Sequence, residues 1–205
     1  MLKEIFVLLL LTFSTFLEGC NMFIDKDNPS KTDLSIRYVP LNDEKNDLIS
    51  RTGIYQMFSF EIDGTLKQSD NLLIEMEEYR YGKKTEQSGS LLNSNQTYFD
   101  QDLLSVSFDH NFTSDQSKIA VSLLDGQIEQ KIDLLGNDAN DQNGIVTGKL
   151  VGNEFIKLEK NKPTYICYEA ISNRTLSVSE KGELKGHENL PQVIVFKVQI
   201  TDKEE

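Results

Sequence analysis

Ile54-Tyr-Gln-Met-Phe-Ser-Phe-Glu-Ile62 is the stretch whose reading decides the fold. Ile54, Phe58, Phe60 and Ile62 occupy alternate positions, interrupted only by Gln56, while Tyr55, Met57, Ser59 and Glu61 fill the positions between. A helix would scatter these aromatic and branched side chains around its circumference, whereas a strand lines them along one face. Asp63-Gly64 reads as the end of the strand.

The same period continues on both sides. Upstream, Leu34, Ile36 and Tyr38 alternate with Ser35, Arg37 and Val39, Pro40 closes that strand, and Asn42 to Asp47 reads as a charged turn or loop. Downstream, Leu72, Ile74 and Met76 share a face, and Glu75, Glu77, Tyr79 and Tyr81 share the other. Leu, Glu and Met also suit a helix there, but the tyrosines and the flanking β pattern favour a strand. Tyr81-Gly82-Lys83-Lys84 turns the chain so that Thr85 to Leu92 pairs back, and Asn93 to Asp102 reads as a polar loop.

Leu104, Val106 and Phe108 alternate with serines, and Lys118–Leu124 and Gln127–Leu134 flank Asp125-Gly126, the strongest local hairpin signal in the chain. A polar loop spans Gly136 to Gly144, and Gly152-Asn153 marks a second expected hairpin between Ile145–Val151 and Glu154–Glu159. Pro163 precedes a strand from Tyr165 to Ile171, and a small hairpin is expected around Lys181-Gly182. Pro191 introduces Val193 to Ile200, almost wholly apolar, as expected of a strand at a sheet centre or buried on both sides. Roughly nine to eleven short antiparallel strands with regular turn signals and no evident helix predict an all-β chain: an immunoglobulin-like β-sandwich or a partly closed barrel. A single domain is expected over residues 34–205.

The N-terminus departs from this pattern. Ile5 to Leu17 is an apolar run, shorter than the roughly 20 residues of a bilayer span. In this position it reads as the apolar region of a secretory signal. No alanine precedes Ala120, so the usual small-residue cleavage site is missing, and the run ends instead in Leu17-Glu18-Gly19-Cys20. This tetrapeptide resembles the lipobox of bacterial lipoproteins. The resemblance implies that residues 1–19 are a signal peptide and that Cys20 becomes the diacylglyceryl-modified, palmitate-bearing first residue of the mature chain. It also implies localisation on the outer face of the bacterial cytoplasmic membrane, because two acyl chains anchor stably where one does not. Residues 20–33 then form a flexible tether. Without the resemblance, the same residues read as an ordinary secretory signal or an uncleaved anchor.

The chain has 205 residues and a formal net charge of −12; residues 1–19 carry Lys3, Glu4 and Glu18, a net −1, which leaves −11 on the rest. So acidic a surface repels phosphate backbones, which argues against a nucleic-acid partner. With Cys20 lipidated, Cys167 stands alone in an apolar strand pattern and reads as a small buried hydrophobe; His110 and His187 are the histidines that could serve it as a base.

Other chemistry is thin. The polar run Asn137 to Gly144 suggests calcium, but placing Gly144 at the sixth position of an EF-hand puts Ala139 at the first and Leu150 at the twelfth, so that frame fails. Glu75, Glu77, Tyr79 and Tyr81 form an acidic-aromatic stripe, either a solvated sheet face or a protein-contact surface. Asp100 and Asp102 are carboxylates that would need a cleft to act as acid and base. Nucleophile-elbow, phosphate-loop, dinucleotide and zinc-protease patterns are missing from the sequence, so no cofactor, metal or catalytic residue is assigned.

The expectation is a non-catalytic binding or accessory module at the bacterial surface, with a protein or cell-wall partner. One alternative is a defensive lipoprotein that sequesters a cationic antimicrobial peptide or inhibits a wall hydrolase. Another is a glycosidase-like enzyme using two loop carboxylates.

Overall fold

In the computed structural model the structure describes residues 29–203, apart from 53, 88, 95, 112–115, 136–143, 173 and 181. The signal segment, Cys20 and most of the polar run from Asn137 therefore lie outside the described residues.

The chain forms an antiparallel β-sandwich. Sheet one contains β1 (Asp33–Val39), β2 (Gln56–Thr65), β6 (Tyr98–Asn111), β7 (Gln116–Leu123), β8 (Gly126–Asp133) and the short β10 (Ile156–Lys157), in the order β10-β1-β2-β6-β7-β8. Sheet two contains β3 (Asp70–Arg80), β4 (Lys83–Lys84), β9 (Gly144–Lys149), β11 (Thr164–Ser172) and β14 (Gln192–Asp202), in the order β4-β3-β14-β11-β9, with β5 (Gly89–Ser94) also on β3. A small hairpin, β12 (Ser177–Val178) with β13 (Leu184–Lys185), stands apart. Fourteen strands are described, ten of them six residues or longer, against the roughly nine to eleven expected from the sequence.

Period two builds the core. Phe58, Phe60 and Ile62 of β2 and Leu104, Val106 and Phe108 of β6 turn inward from sheet one. Leu72, Ile74 and Met76 of β3 and Ile194, Phe196, Val198 and Ile200 of β14 meet them from sheet two. Phe108 and Phe196 make an edge-to-face contact between the sheets, with centroids 5.7 Å apart.

Several local expectations are revised. Asn42 to Asp47 is the start of a helix, α1 (Asp43–Ser50). The Asn42 side chain accepts from the Lys45 backbone N–H at 2.9 Å, and Asp43 and Glu44 sit where the helix dipole favours anions. The helix is mostly exposed, so it lacks the apolar stripe by which periodicity reveals a helix. Asp63-Gly64 does not end β2: the strand runs on through a bulge between Ile62 and Gly64 to Thr65. Asn93 to Asp102 is mostly strand, the end of β5 and the start of β6.

The β7–β8 hairpin turns at Leu124-Asp125, with Leu123 opposite Gly126 and Leu124 at φ 54°. This differs from a turn at Asp125-Gly126 by an even slip of register, which leaves every side chain on its expected face. Gly152-Asn153 turns the chain between the two sheets rather than within a hairpin. β9 pairs with β11, β10 pairs with β1, and the Gly152 carbonyl accepts from the Tyr38 N–H at 2.8 Å on the way across.

The expected tether over residues 20–33 is shorter at its C-terminal end. Pro29 is buried, the Thr32 hydroxyl donates to Asp70 at 2.5 Å, and β1 begins at Asp33. Lys160 closes this pole by bonding both Asp70 (2.8 Å) and Asp202 (2.6 Å).

Candidate functional site

The outer face of sheet two is not bare. Val193 and Val195 of β14 and Tyr168 and Ala170 of β11 point away from the main core, and Leu176, Leu184 and Leu190 from the following chain pack on them as a second cluster. The segment between β11 and β14 thus folds back as a cover, and β14 is apolar on both faces because both are buried. Tyr168 anchors the cover by accepting from the Leu176 N–H at 3.1 Å. Its ring lies directly over Gly148 of β9, where an added Cβ would meet ring atoms at 2.6–2.7 Å. Gly148→Val is therefore expected to displace Tyr168 and loosen the cover while sparing the main core. Limited proteolysis should then cut within residues 172–191 much faster than in wild type, and an unchanged cleavage pattern would refute this account.

Beside the cover, the expected acidic-aromatic stripe becomes a closed network. The Glu77 carboxylate accepts from Lys84 at 2.7 Å, Tyr79 at 2.8 Å, Lys197 at 3.0 Å and Tyr165 at 3.2 Å. Burial alone would raise its pKa, but the hydrogen bonds from Lys84, Lys197 and Tyr79 outweigh burial and hold it at about 2. Burial and the adjacent Glu77 charge push the Tyr79 phenol well above its ordinary range. The His187 ring packs against Tyr79 at 4.6 Å. Tyr81 leaves the stripe: it sits in a turn at φ 51° with its side chain largely exposed.

Tyr165 also lines a surface cleft of about 180 Å³ between the β9–β10 crossover, the start of β11 and the β12–β13 hairpin. Leu150, Val151, Ile156 and Val178 line it together with the polar and charged side chains of Lys157, Glu159, Lys162, Thr164, Ser179 and Glu180. Its lysines are already engaged: Lys157 bonds Asp33 at 2.7 Å and Lys162 bonds Glu159 at 3.0 Å. Glu180, exposed at the rim, has no ion-pair partner among the described residues.

The residues with the most reactive chemistry lie elsewhere and are closed off. Cys167 is fully buried, and burial, reinforced by the Glu169 charge, raises its thiol pKa well above the ordinary value. It is an inert thiol rather than a nucleophile. His110 Nε2 lies 2.9 Å from Glu169 Oε2, a contact between β6 and β11 inside the sandwich, with both side chains almost wholly buried. Tyr55 packs against the His110 ring at 4.7 Å. Asp100 and Asp102 stand in strand β6 rather than in a loop, and Asp102 accepts from Gln96 Nε2 at 3.1 Å and from the Asp100 N–H at 3.3 Å. Asp102 is thereby turned back onto its own chain. Among the described residues no three His, Cys, Asp or Glu side chains are placed to hold a metal ion.

Sequence reasoning missed the cleft. Leu150, Val151, Ile156 and Val178 come from three separate segments, and their meeting depends on the crossover and the cover, neither of which has a periodic signal. Comparison with known protein families, curated proteins and solved structures finds no match.

Proposed function

We propose that the chain is a bacterial surface lipoprotein, held on the outer face of the cytoplasmic membrane through Cys20, that works as a non-catalytic binding module for an extracytoplasmic partner. The observation that carries the binding reading is the open cleft beside Tyr165, set against a buried Cys167, a buried His110–Glu169 pair and a Glu77 held ionised by four donors. The surface offers a shaped recess, while Cys167, His110, Glu169 and Glu77 are buried or held by partners. The anchor reading rests on Leu17-Glu18-Gly19-Cys20. Nine residue steps separate Cys20 from the buried Pro29, a reach of at most roughly 30 Å. The cleft is then presented close to the membrane surface.

Intact mass and membrane partitioning of the native chain beside a Cys20→Ala variant test this reading. The expected result is a chain beginning at Cys20 with the added mass of a diacylglyceryl group, retained in membranes, and a variant that lacks the added mass and is lost from them. An unmodified wild-type chain, or one cut elsewhere, overturns the lipoprotein reading.

A further inference from the structure

We infer that the edge strand β8 pairs antiparallel with β8 of a second copy of the chain, about a two-fold axis at Gln130. Sheet one of each copy then continues into the other. This inference goes beyond the binding-module reading and depends on neither the anchor nor the cleft.

The backbone offers the template. β8 is eight residues long, the longest strand at an edge of either sheet, and among the described strands it pairs only with β7. All its residues except Gln130 and Ile132 are exposed. Leu123 and Gly126 flank a two-residue turn, and in such a hairpin the flanking pair exchanges backbone hydrogen bonds. Alternation then gives the backbone groups of Gly126, Ile128, Gln130 and Ile132 to β7. Those of Gln127, Glu129, Lys131 and Asp133 turn to the open edge. The Asp133 carbonyl follows this rule, because it accepts from the Gln192 side chain, outside β7, at 3.0 Å. Among the described residues no other strand meets the row from Gln127 to Lys131, which leaves it open to another chain.

The side chains choose a second copy. Ile128, Gln130 and Ile132 share the inward face, and Gln127, Glu129, Lys131 and Asp133 share the outer one. In the register centred on Gln130, Glu129 lies opposite the partner's Lys131, and Lys131 opposite the partner's Glu129. Ile128, 36% exposed, lies opposite the partner's Ile132 and loses its contact with water. Registers centred on Glu129 or Lys131 set like charges face to face, and a slip of one residue pairs inner with outer faces. Within its own chain Lys131 faces Lys118 across the β7–β8 ladder, while Glu129 pairs with Lys118 at 2.9 Å. The partner's Glu129 therefore offsets a like-charge contact. Each copy carries a net charge of −12 and repels the other at long range. At 0.15 M salt that repulsion is screened beyond about 8 Å, whereas the contact pairs persist.

The test uses the full chain in neutral detergent at 0.15 M salt, with micelles in excess over protein. Cysteines added on β8 report the register under mild oxidation, with each linkage mapped by mass spectrometry. Gln130→Cys should give a dimer linked through residue 130, because the two positions face each other at a spacing that a disulfide spans. Glu129→Cys and Lys131→Cys are more exposed and favoured in random collisions. Each alone should nevertheless give roughly fivefold less dimer, and the two should cross-link when mixed. Sedimentation of the unoxidised chain measures affinity. Glu129→Lys, an exposed change, should weaken self-association about tenfold, and adding Lys131→Glu should restore it.

A wild-type chain that sediments as a monomer up to about 1 mM overturns the pairing. Equal cross-linking at all three positions shows collision without register and overturns it as well. A dimer that lacks the link at residue 130 and ignores both charge variants is built on another surface.

Discussion

Gly64→Ala is expected to destabilise the protein by about 3 kcal/mol or more, one of the largest effects of a single methyl group anywhere in the chain. Two causes act together. Gly64 holds φ at +119°, a backbone conformation that side chains with a Cβ rarely adopt. The new Cβ would also lie 2.0 Å from the Asp33 carbonyl oxygen, which is backbone and part of the β1–β2 pairing, so it has no flexible end to move aside. Relief requires β1 to separate from β2 near Leu34, a fully buried residue of the core. Gly152→Ala is the control: open space surrounds the position, and the change should stay within about 0.5 kcal/mol of wild type. Urea denaturation of both variants measures the difference, and equal midpoints would refute the bulge argument.

The second large effect is pH-dependent and centres on Glu77. Its pKa in the folded chain is about 2, below the ordinary 4.5, so the folded state binds its proton less readily than the unfolded state does. The resulting stabilisation is fully present above about pH 4.5 and is lost as pH falls through about 2. After allowance for the solvent around Lys84, half of which is exposed, the contribution is about 2 kcal/mol. Glu77→Gln should therefore lower stability by about that amount at pH 7, since Lys84 and Lys197 lose their shared counter-charge. The gap between wild type and variant should close as the pH approaches 2. Thermal melts from pH 7 to pH 2 provide the measurement, and a gap that stays constant across that range would show that Glu77 packs without acting as a charge.

These two positions also show what was legible in the sequence and what was not. The inward rows of β2, β3 and β6 were legible because burial on one face of a strand is written directly as alternation: Phe58, Phe60 and Ile62, then Leu72, Ile74 and Met76. The doubly buried β14 was legible by the opposite pattern, a continuous apolar run, because both of its faces are covered. Gly64 read as the end of a strand, because a glycine that permits a bulge and a glycine that permits a turn have the same local composition. The Glu75–Glu77–Tyr79 row was legible as a face, but its closure was not. Lys84, Lys197 and Tyr165 come from three other strands, and only tertiary pairing places them around one carboxylate. α1 carried a capping signal at Asn42 without the apolar stripe that would have supported it. The cleft depends on a crossover at Gly152 that resembles a hairpin in sequence, so no local pattern could disclose it.

The pole where Pro29 enters the fold has a mechanical consequence. β1 is held to β2 by seven consecutive residue pairs and to β10 by two more, all perpendicular to the strand. A load drawn along the β1 axis from the residues ahead of Pro29 shears these pairs together rather than peeling them one at a time. Thr32 passes part of that load sideways to Asp70, and Lys160 passes it on to Asp202 at the end of the central strand of the opposite sheet. Traction on the N-terminus is thus shared between both layers of the sandwich before any single strand gives way.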